Sequence, residues 1–175
     1  MFIGYLAENI FMKKFVFVLS SVLVFTSCGP SQGDAVKYND QIVGLQKDLL
    51  PLHEGFIGQI DGHNLDSLKI VHVLFAEKAK STLAACEKMP DFGGKRDYAN
   101  AAVAYFKILS SLADKEGTQL VNIMTKDSSQ VTDKDAEDMT ALATKFDSEY
   151  AKALQKIQDA QMTFSKEWKF EIKAE

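Results

Sequence analysis

Arginine is nearly absent from this 175-residue chain, in which Arg96 is the only one. Arginine is the side chain best suited to grip phosphate groups and the edges of bases. The lysines are spread along the chain, and the net charge is −4. The sequence therefore argues against nucleic-acid binding and against a patch for anionic lipids.

Histidine is scarce as well, and the three present form no metal motif. A di-iron helix bundle needs Glu-x-x-His pairs, and a zincin helix needs His-x-x-x-His. His53, His63 and His72 fit neither spacing. We therefore expect no metal and no cofactor, with His63 in a turn and His72 at the edge of a core.

Other catalytic signatures are missing too. The chain has no glycine-rich phosphate loop and no Gly-x-Ser-x-Gly elbow. The acidic run TDKDAED at 132–138 lacks the glycine and final glutamate of a calcium loop, and its carboxylates suit a helix amino end. A serine or cysteine brought beside a histidine by the fold would not be visible in the sequence. We expect the protein not to be an enzyme.

No apolar run is long enough to span a membrane. Residues 15–25 form an 11-residue stretch interrupted only by two serines, whereas a spanning helix needs about 20 apolar residues. Lys13 and Lys14 precede it, and Cys28 follows it closely. A positive start and a short apolar core are typical of a secretory signal.

The end of this signal resembles the lipobox of bacterial lipoproteins, through Thr26, Ser27, Cys28 and Gly29. Phe25 departs from it, because leucine is commonest there. The resemblance implies that the Cys28 thiol receives a diacylglycerol and that the signal is removed just before it. More than one acyl chain gives stable membrane anchoring. The alternative is an ordinary secretory signal with an incidental cysteine.

These features divide the chain into four parts. Met12 opens a complete signal, MKKFVFVLSS, so we expect residues 1–11 to be a mis-assigned upstream extension and 12–27 to be the signal peptide. Residues 28–33 would be a short tether, and 34–175 a single helical domain large enough for one core.

Lipid on Cys28 would leave Cys86, the other cysteine, without a disulfide partner. Cys86 lies on an apolar helical stripe in STLAACEKM. That position favours a buried, inert thiol, because a reactive one needs an activating neighbour.

Helical periodicity runs through nearly all of the remaining chain. Apolar residues recur at steps of three and four from Tyr38 to Phe56, and similar stripes run through 66–88, 97–126 and 132–168. Only WKFEIK, near the end, suggests a strand. We therefore predict an all-α, up-down-up-down antiparallel four-helix bundle with a long fourth helix.

Pro51 interrupts the stripe of the first helix. Proline lacks an amide donor and crowds the carbonyl four residues earlier. We predict that the first helix is kinked near Pro51, between residues 47 and 52, with Leu49 and Phe56 both buried. A gap opened by the bend is where a ligand would first be sought.

Four other residues predict local features of the helices. Asp34 is placed to cap the first helix, and Thr132 with Asp135 forms a variant capping box for the fourth. Gly117 is a weak point inside the third, because glycine disfavours helix interiors.

Aromatic residues at helical spacing usually fill a core, but they can also line a pocket between helices. The candidates for pocket lining are Phe56, Tyr105, Phe146, Tyr150, Phe164 and Trp168.

The stretch YNDQIVGLQKDLLPLHEGF, following the lipobox, resembles small helical surface lipoproteins of spirochaetes and Bacteroidetes-type bacteria. The resemblance implies a non-enzymatic protein of the cell envelope, anchored through lipid on Cys28, on the outer membrane if the cell is Gram-negative. We expect the protein to act mainly as a structural or interaction module that binds an unknown envelope protein. The alternative is a binding module with a small apolar or aromatic-lined pocket.

Overall fold

The computed structural model describes residues 29–62 and 64–172. Helices are the only regular elements in these ranges, apart from one isolated bridge between Phe92 and Lys95, so the all-α prediction is confirmed for them. The α-helices are α1 Gln32–Asp61, α2 Leu65–Glu87, α3 Asp97–Leu112, α4 Thr118–Met124 and α5 Asp133–Trp168. The 36-residue α5 is the long fourth helix that the sequence predicts.

The third helix is made of three consecutive pieces, α3, a π-helical turn over Ala113–Gly117, and α4. The wider π turn leaves the carbonyl of Ala113 to accept a hydrogen bond from His72 Nε2, at 2.8 Å. Glu116, in the same turn, is buried and paired with Lys145. Gly117 is the last residue of the turn and packs closely against His72, since a Cβ there would lie 3.1 Å from the His72 ring.

Capping boxes begin the two longest helices. The Thr132 side chain accepts from the amide of Asp135, whose carboxylate accepts from the amide of Thr132, as predicted. In α1 the N-cap is Ser31, and Asp34 completes its box from the third helical position. Asp34 therefore belongs to the cap, but the helix starts two residues before it.

A Schellman motif ends α5. Lys169 adopts a left-handed conformation with φ 57°, and the amides of Lys169 and Phe170 donate to the carbonyls of Lys166 and Ser165. This closure turns the chain back, and the Phe170 ring packs 5.9 Å from Phe164. The WKFEIK segment is therefore the end of a helix and its cap over its described residues, 168–172.

The four helices pack against one another around one core. Contacts join α1 to α2, α2 to α3 and α4, α3 and α4 to α5, and α5 to α1. Each fully buried phenylalanine, leucine or isoleucine stabilises the fold by about 1.5–3 kcal/mol. The largest fully buried side chains are Phe56, Phe75, Phe106, Phe146, Ile42, Leu49, Leu68, Leu109, Ile157 and Cys86.

Helix α1 continues through Pro51 without a break. Leu49 and Phe56 are both buried, as predicted, so the two halves of α1 contribute to the same core. The bend between residues 47 and 52 stays a prediction.

Among the described helices, none combines the length and apolar character required for membrane crossing. The predicted extension at 1–11, the predicted signal at 12–27 and Cys28 lie outside the described residues, as does His63.

Candidate functional site

The six predicted pocket residues lie in two separate aromatic clusters. Phe56, Tyr105, Phe146 and Tyr150 belong to a middle cluster, which also contains His53, Phe75 and the edge of His72. Phe164 and Trp168 belong to an end cluster with Tyr38, Phe92, Tyr98 and Phe170.

The middle cluster is part of the core. Phe56 and Phe146 are buried completely or almost completely, and their ring centroids are 6.3 Å apart. Tyr105 is buried too, and burial raises the pKa of its hydroxyl, which shares a hydrogen bond with Tyr150. These four predicted residues therefore fill space between helices.

His53 is the unusual member of the middle cluster. Its ring stacks 4.5 Å from Tyr150 and 5.7 Å from Phe146, and it is only 9% exposed. Its Nδ1 is buried without a hydrogen-bond partner among the described residues. Burial lowers the pKa of His53, and the nearby carboxylates of Glu54 and Asp147 oppose that shift only in part.

The end cluster surrounds a cleft of about 150 Å³, which we call the end cleft. Its aromatic lining is Tyr38, Phe92, Tyr98, Phe164 and Trp168. Phe92 lies at the centre, with its ring 5.0 Å from Tyr38, 5.4 Å from Phe164 and 4.9 Å from Trp168. Two of the six predicted pocket residues therefore do line a cleft.

Four parts of the chain build the end cleft. Tyr38 comes from the second turn of α1, Tyr98 from the first turn of α3, and Phe164 with Trp168 from the last turns of α5. Phe92 comes from the connection between α2 and α3. The Schellman cap after Trp168 fixes where α5 stops, and so fixes one wall.

A tight turn holds Phe92 in position. The backbones of Phe92 and Lys95 exchange two hydrogen bonds, at 2.8 and 3.0 Å, across Gly93 and Gly94. Both glycines have positive φ, 60° and 75°, which suits a two-residue hairpin turn. The only arginine, Arg96, supports this connection by donating to the carbonyls of Glu87 and Met89.

Polar groups beneath the cleft are satisfied by one another. The Tyr38 hydroxyl donates to the carbonyl of Pro90 at 2.9 Å. The buried Oδ1 of Asn39 accepts from the Tyr98 hydroxyl at 3.2 Å and from Gln161 Nε2 at 2.9 Å. This network ties α1, α3 and α5 together below the rings.

Three charged residues also line the cleft, namely Lys95, Asp97 and Glu167. Lys95 Nζ lies 2.5 Å from Glu167 Oε1. Asp97, the exposed first residue of α3, has no salt-bridge partner within 29–62 and 64–172.

The residues that the sequence did not point to are Tyr38, Phe92 and Tyr98. In the sequence, the spacing of the two tyrosines matches an apolar core stripe, and Phe92 lies in a connection between helices. The Gly93-Gly94 pair is a usable signal for the turn, since adjacent glycines favour two-residue hairpins.

No family model, curated protein or solved structure matches the chain. The candidate site therefore rests on the geometry of its own residues.

Cys86 is buried, as predicted, and burial raises the pKa of its thiol to about 11. The thiol therefore stays protonated at neutral pH. Within the described ranges no group of three or more His, Cys, Asp or Glu side chains is placed to hold a metal ion.

One helix also exposes apolar side chains on its outer surface. Ile70, Val73 and Leu74 of α2 are 64%, 50% and 47% exposed. Their spacing of three and four residues places them on one side of the helix. We call these three residues the α2 stripe.

Proposed function

We propose that this protein is a lipid-anchored, non-enzymatic interaction module of the cell envelope. The support for anchoring is in the sequence, where Lys13 and Lys14, the apolar residues 15–25 and Cys28 occur in lipoprotein order. The likeness to small helical surface lipoproteins supports the same location, on the outer membrane in a Gram-negative cell.

The α2 stripe is the observation that carries the interaction role. Adjacent exposed apolar side chains are favourable to cover and typical of sites of protein contact. We propose that an envelope protein with a complementary apolar surface covers Ile70, Val73 and Leu74.

The finer architecture belongs to the same proposal. Helices that are neighbours in the sequence are also in contact, and short connections join them, which supports an up-down-up-down bundle. We also propose that α1 bends near Pro51, because a proline inside a regular helix costs about 3 kcal/mol.

Fatty-acid labelling tests the anchor. Wild-type protein should incorporate labelled palmitate and stay with membranes after a high-salt wash, whereas Cys28→Ser should do neither. Wild-type protein that takes up no label and washes off membranes would overturn the lipoprotein proposal.

Paired substitutions on α2 test the interaction role. We expect an envelope protein to co-purify with the wild type and to bind it again after purification. The variant Ile70→Ser/Leu74→Ser should not bind that protein. The matched control is Glu87→Ser, an exposed change at the far end of the same helix, about 20 Å along it from Leu74. Equal binding of the partner by all three proteins would contradict a role for the α2 stripe. If analytical sedimentation showed a dimer in the wild type that the double variant does not form, the stripe would instead pair two copies of this chain.

The end cleft supports a second candidate function, the binding of a small ligand. Aromatic side chains from α1, α3, α5 and the Phe92 turn converge there, with charged groups at the edge. Convergent polar groups on an apolar pocket are typical of ligand sites.

A further inference from the structure

The end cleft offers aromatic rings more than hydrogen-bonding groups. The hydroxyls of Tyr38 and Tyr98 are already bonded to Pro90 and Asn39. Burial raises the pKa of both tyrosines, so both rings stay neutral at physiological pH. What these side chains add to the cleft is mainly π surface.

The charged side chains that line the cleft are one lysine and two carboxylates, so their net charge is negative. The Lys95 ammonium and the Glu167 carboxylate are in direct contact and offset each other. The Asp97 carboxylate also interacts with the Lys95 ammonium, at a longer distance than Glu167 does, so two carboxylates share one ammonium in this lining. Arg96 does not line the cleft. Its guanidinium donates to the carbonyls of Glu87 and Met89, and its charge is offset by Asp91 at 3.3 Å. The lining therefore holds one more carboxylate than ammonium, which favours a cationic ligand over an anionic one.

The size of the cleft limits the ligand further. Sites for drug-sized molecules have volumes of roughly 300–1,000 Å³, and the end cleft has about 150 Å³. A volume near 150 Å³ accepts a single benzene ring in an engineered apolar cavity of another protein. A trimethylammonium group is similar in volume to that ring and carries a positive charge.

We infer that the end cleft binds a small methylated ammonium group through Phe92, Trp168 and the neighbouring rings, with Asp97 supplying the counter-charge. Quaternary ammonium groups are recognised by aromatic faces within about 6 Å, because the face of a ring is electronegative. This inference rests on the second candidate function, ligand binding at the cleft, and names the ligand's chemistry.

Trp168 provides a direct assay, because it is the only tryptophan in the chain and it lines the cleft. The full chain, held in a maltoside detergent at constant ionic strength, is titrated with choline chloride while Trp168 fluorescence is recorded. The comparison ligand is 3,3-dimethyl-1-butanol, the uncharged isostere of choline. We expect a saturable change with choline, at least about tenfold tighter than with the alcohol, and no change with sodium chloride.

Two variants separate the charge from the rings. Asp97→Asn should weaken choline binding about tenfold and leave the alcohol unaffected, since only the counter-charge is lost. The matched control is Asp133→Asn, which changes the exposed first residue of α5 instead of α3. Phe92→Leu keeps an apolar side chain but removes a π face, so it should also weaken choline selectively. Circular dichroism verifies that each variant is folded.

The trimethylammonium group could belong to free choline or to a phosphatidylcholine headgroup. Vesicles of phosphatidylcholine, compared with vesicles of phosphatidylglycerol, distinguish the two. A phosphatidylcholine response that excess choline abolishes assigns the headgroup, and a response to choline alone assigns the free cation.

Equal binding of choline and the uncharged alcohol would overturn the cation inference and leave ligand binding at the cleft intact. Equal choline affinity of wild type, Asp97→Asn and Phe92→Leu would also overturn it. If neither choline nor the alcohol changed the Trp168 fluorescence, the cation inference would be overturned. The second candidate function would then lose the support that choline binding gives it. The leading proposal is tested separately on α2, so these failures are distinguishable.

Discussion

Mild acidification should destabilise this protein through His53 before it affects the carboxylates. The His53 ring is packed between Tyr150 and Phe146, is 9% exposed, and has a buried Nδ1 without a partner among the described residues. Burial lowers its pKa from the ordinary value of 6.5, and Glu54 and Asp147 only partly oppose this. The folded protein therefore holds His53 neutral at pH values where the unfolded chain takes up a proton.

The sign of the effect follows from this difference in proton uptake. The contribution of neutral His53 to stability is complete above pH 6.5, the ordinary value, and falls as the pH drops from 6.5 toward the lower pKa of the folded state. One proton changes the free energy of unfolding by at most about 1.4 kcal/mol per pH unit. Total stabilities of about 5–15 kcal/mol make a loss of this size measurable.

A second group titrates in a different window. The pKa of Asp135 is lowered from 3.8 to about 2, first by the hydrogen bond from Lys126 and then by those from Thr132. Its contribution is present above pH 3.8 and is lost as the pH falls toward 2. Loss of stability between pH 6.5 and 5 therefore reports on His53 and not on Asp135.

Urea unfolding at pH 7.5, 6.5, 5.5 and 4.5 measures the slope. The wild type should lose stability as the pH falls below 6.5, and His53→Leu, which keeps the volume without a titrating group, should lose distinctly less. A flat wild-type profile from pH 7.5 to 5, or the same slope in His53→Leu, would refute the reasoning.

Three further predictions concern backbone positions, and urea unfolding measures each. Pro51→Ala should stabilise the protein by clearly less than the roughly 3 kcal/mol of an unrelieved helical proline, and a gain of that full size would contradict a bend in α1. Gly117→Ala should destabilise the protein by about 1 kcal/mol, because the added Cβ would press on the His72 ring. The control Gly44→Ala should instead stabilise it by about 0.5–1 kcal/mol, because a Cβ at residue 44 meets nothing within 4 Å. Lys169→Gly should stabilise by about 1 kcal/mol, because glycine adopts the left-handed cap conformation without strain, and a loss of stability would argue against that cap.

The helices could be predicted from the sequence because their signals are local. Steps of three and four residues from Tyr38 to Phe56 mark one face of α1, and Thr132 with Asp135 marks the start of α5. The π turn over Ala113–Gly117 could not be predicted, because the sequence does not reveal that His72 of another helix contacts Ala113 and Gly117. The end of α5 was ambiguous in the sequence, since the left-handed residue is Lys169 and not the glycine that usually signals such a cap.

The candidate site was only partly predictable, for the same reason. Aromatic spacing identified Phe164 and Trp168, but it equally selected Phe56 and Phe146, which are core residues. Periodicity reports which side of a helix is apolar, not whether the neighbouring helix fills the space in front of it. Phe92 lies in a connection, where no periodicity applies, and its place in the cleft depends on the Gly93-Gly94 turn.

The two proposed binding surfaces can be separated by mutation. The end cleft is built by α1, α3, α5 and the turn carrying Phe92, and no residue of α2 lines it. The stripe of Ile70, Val73 and Leu74 belongs to α2 alone. Substitutions at sites without shared partners are expected to act additively. An α2 stripe variant should therefore bind choline like the wild type, and Asp97→Asn should bind a protein partner like the wild type. Loss of both activities in either variant would mean that one surface depends on the other, and a single composite binding site would then replace the two proposals.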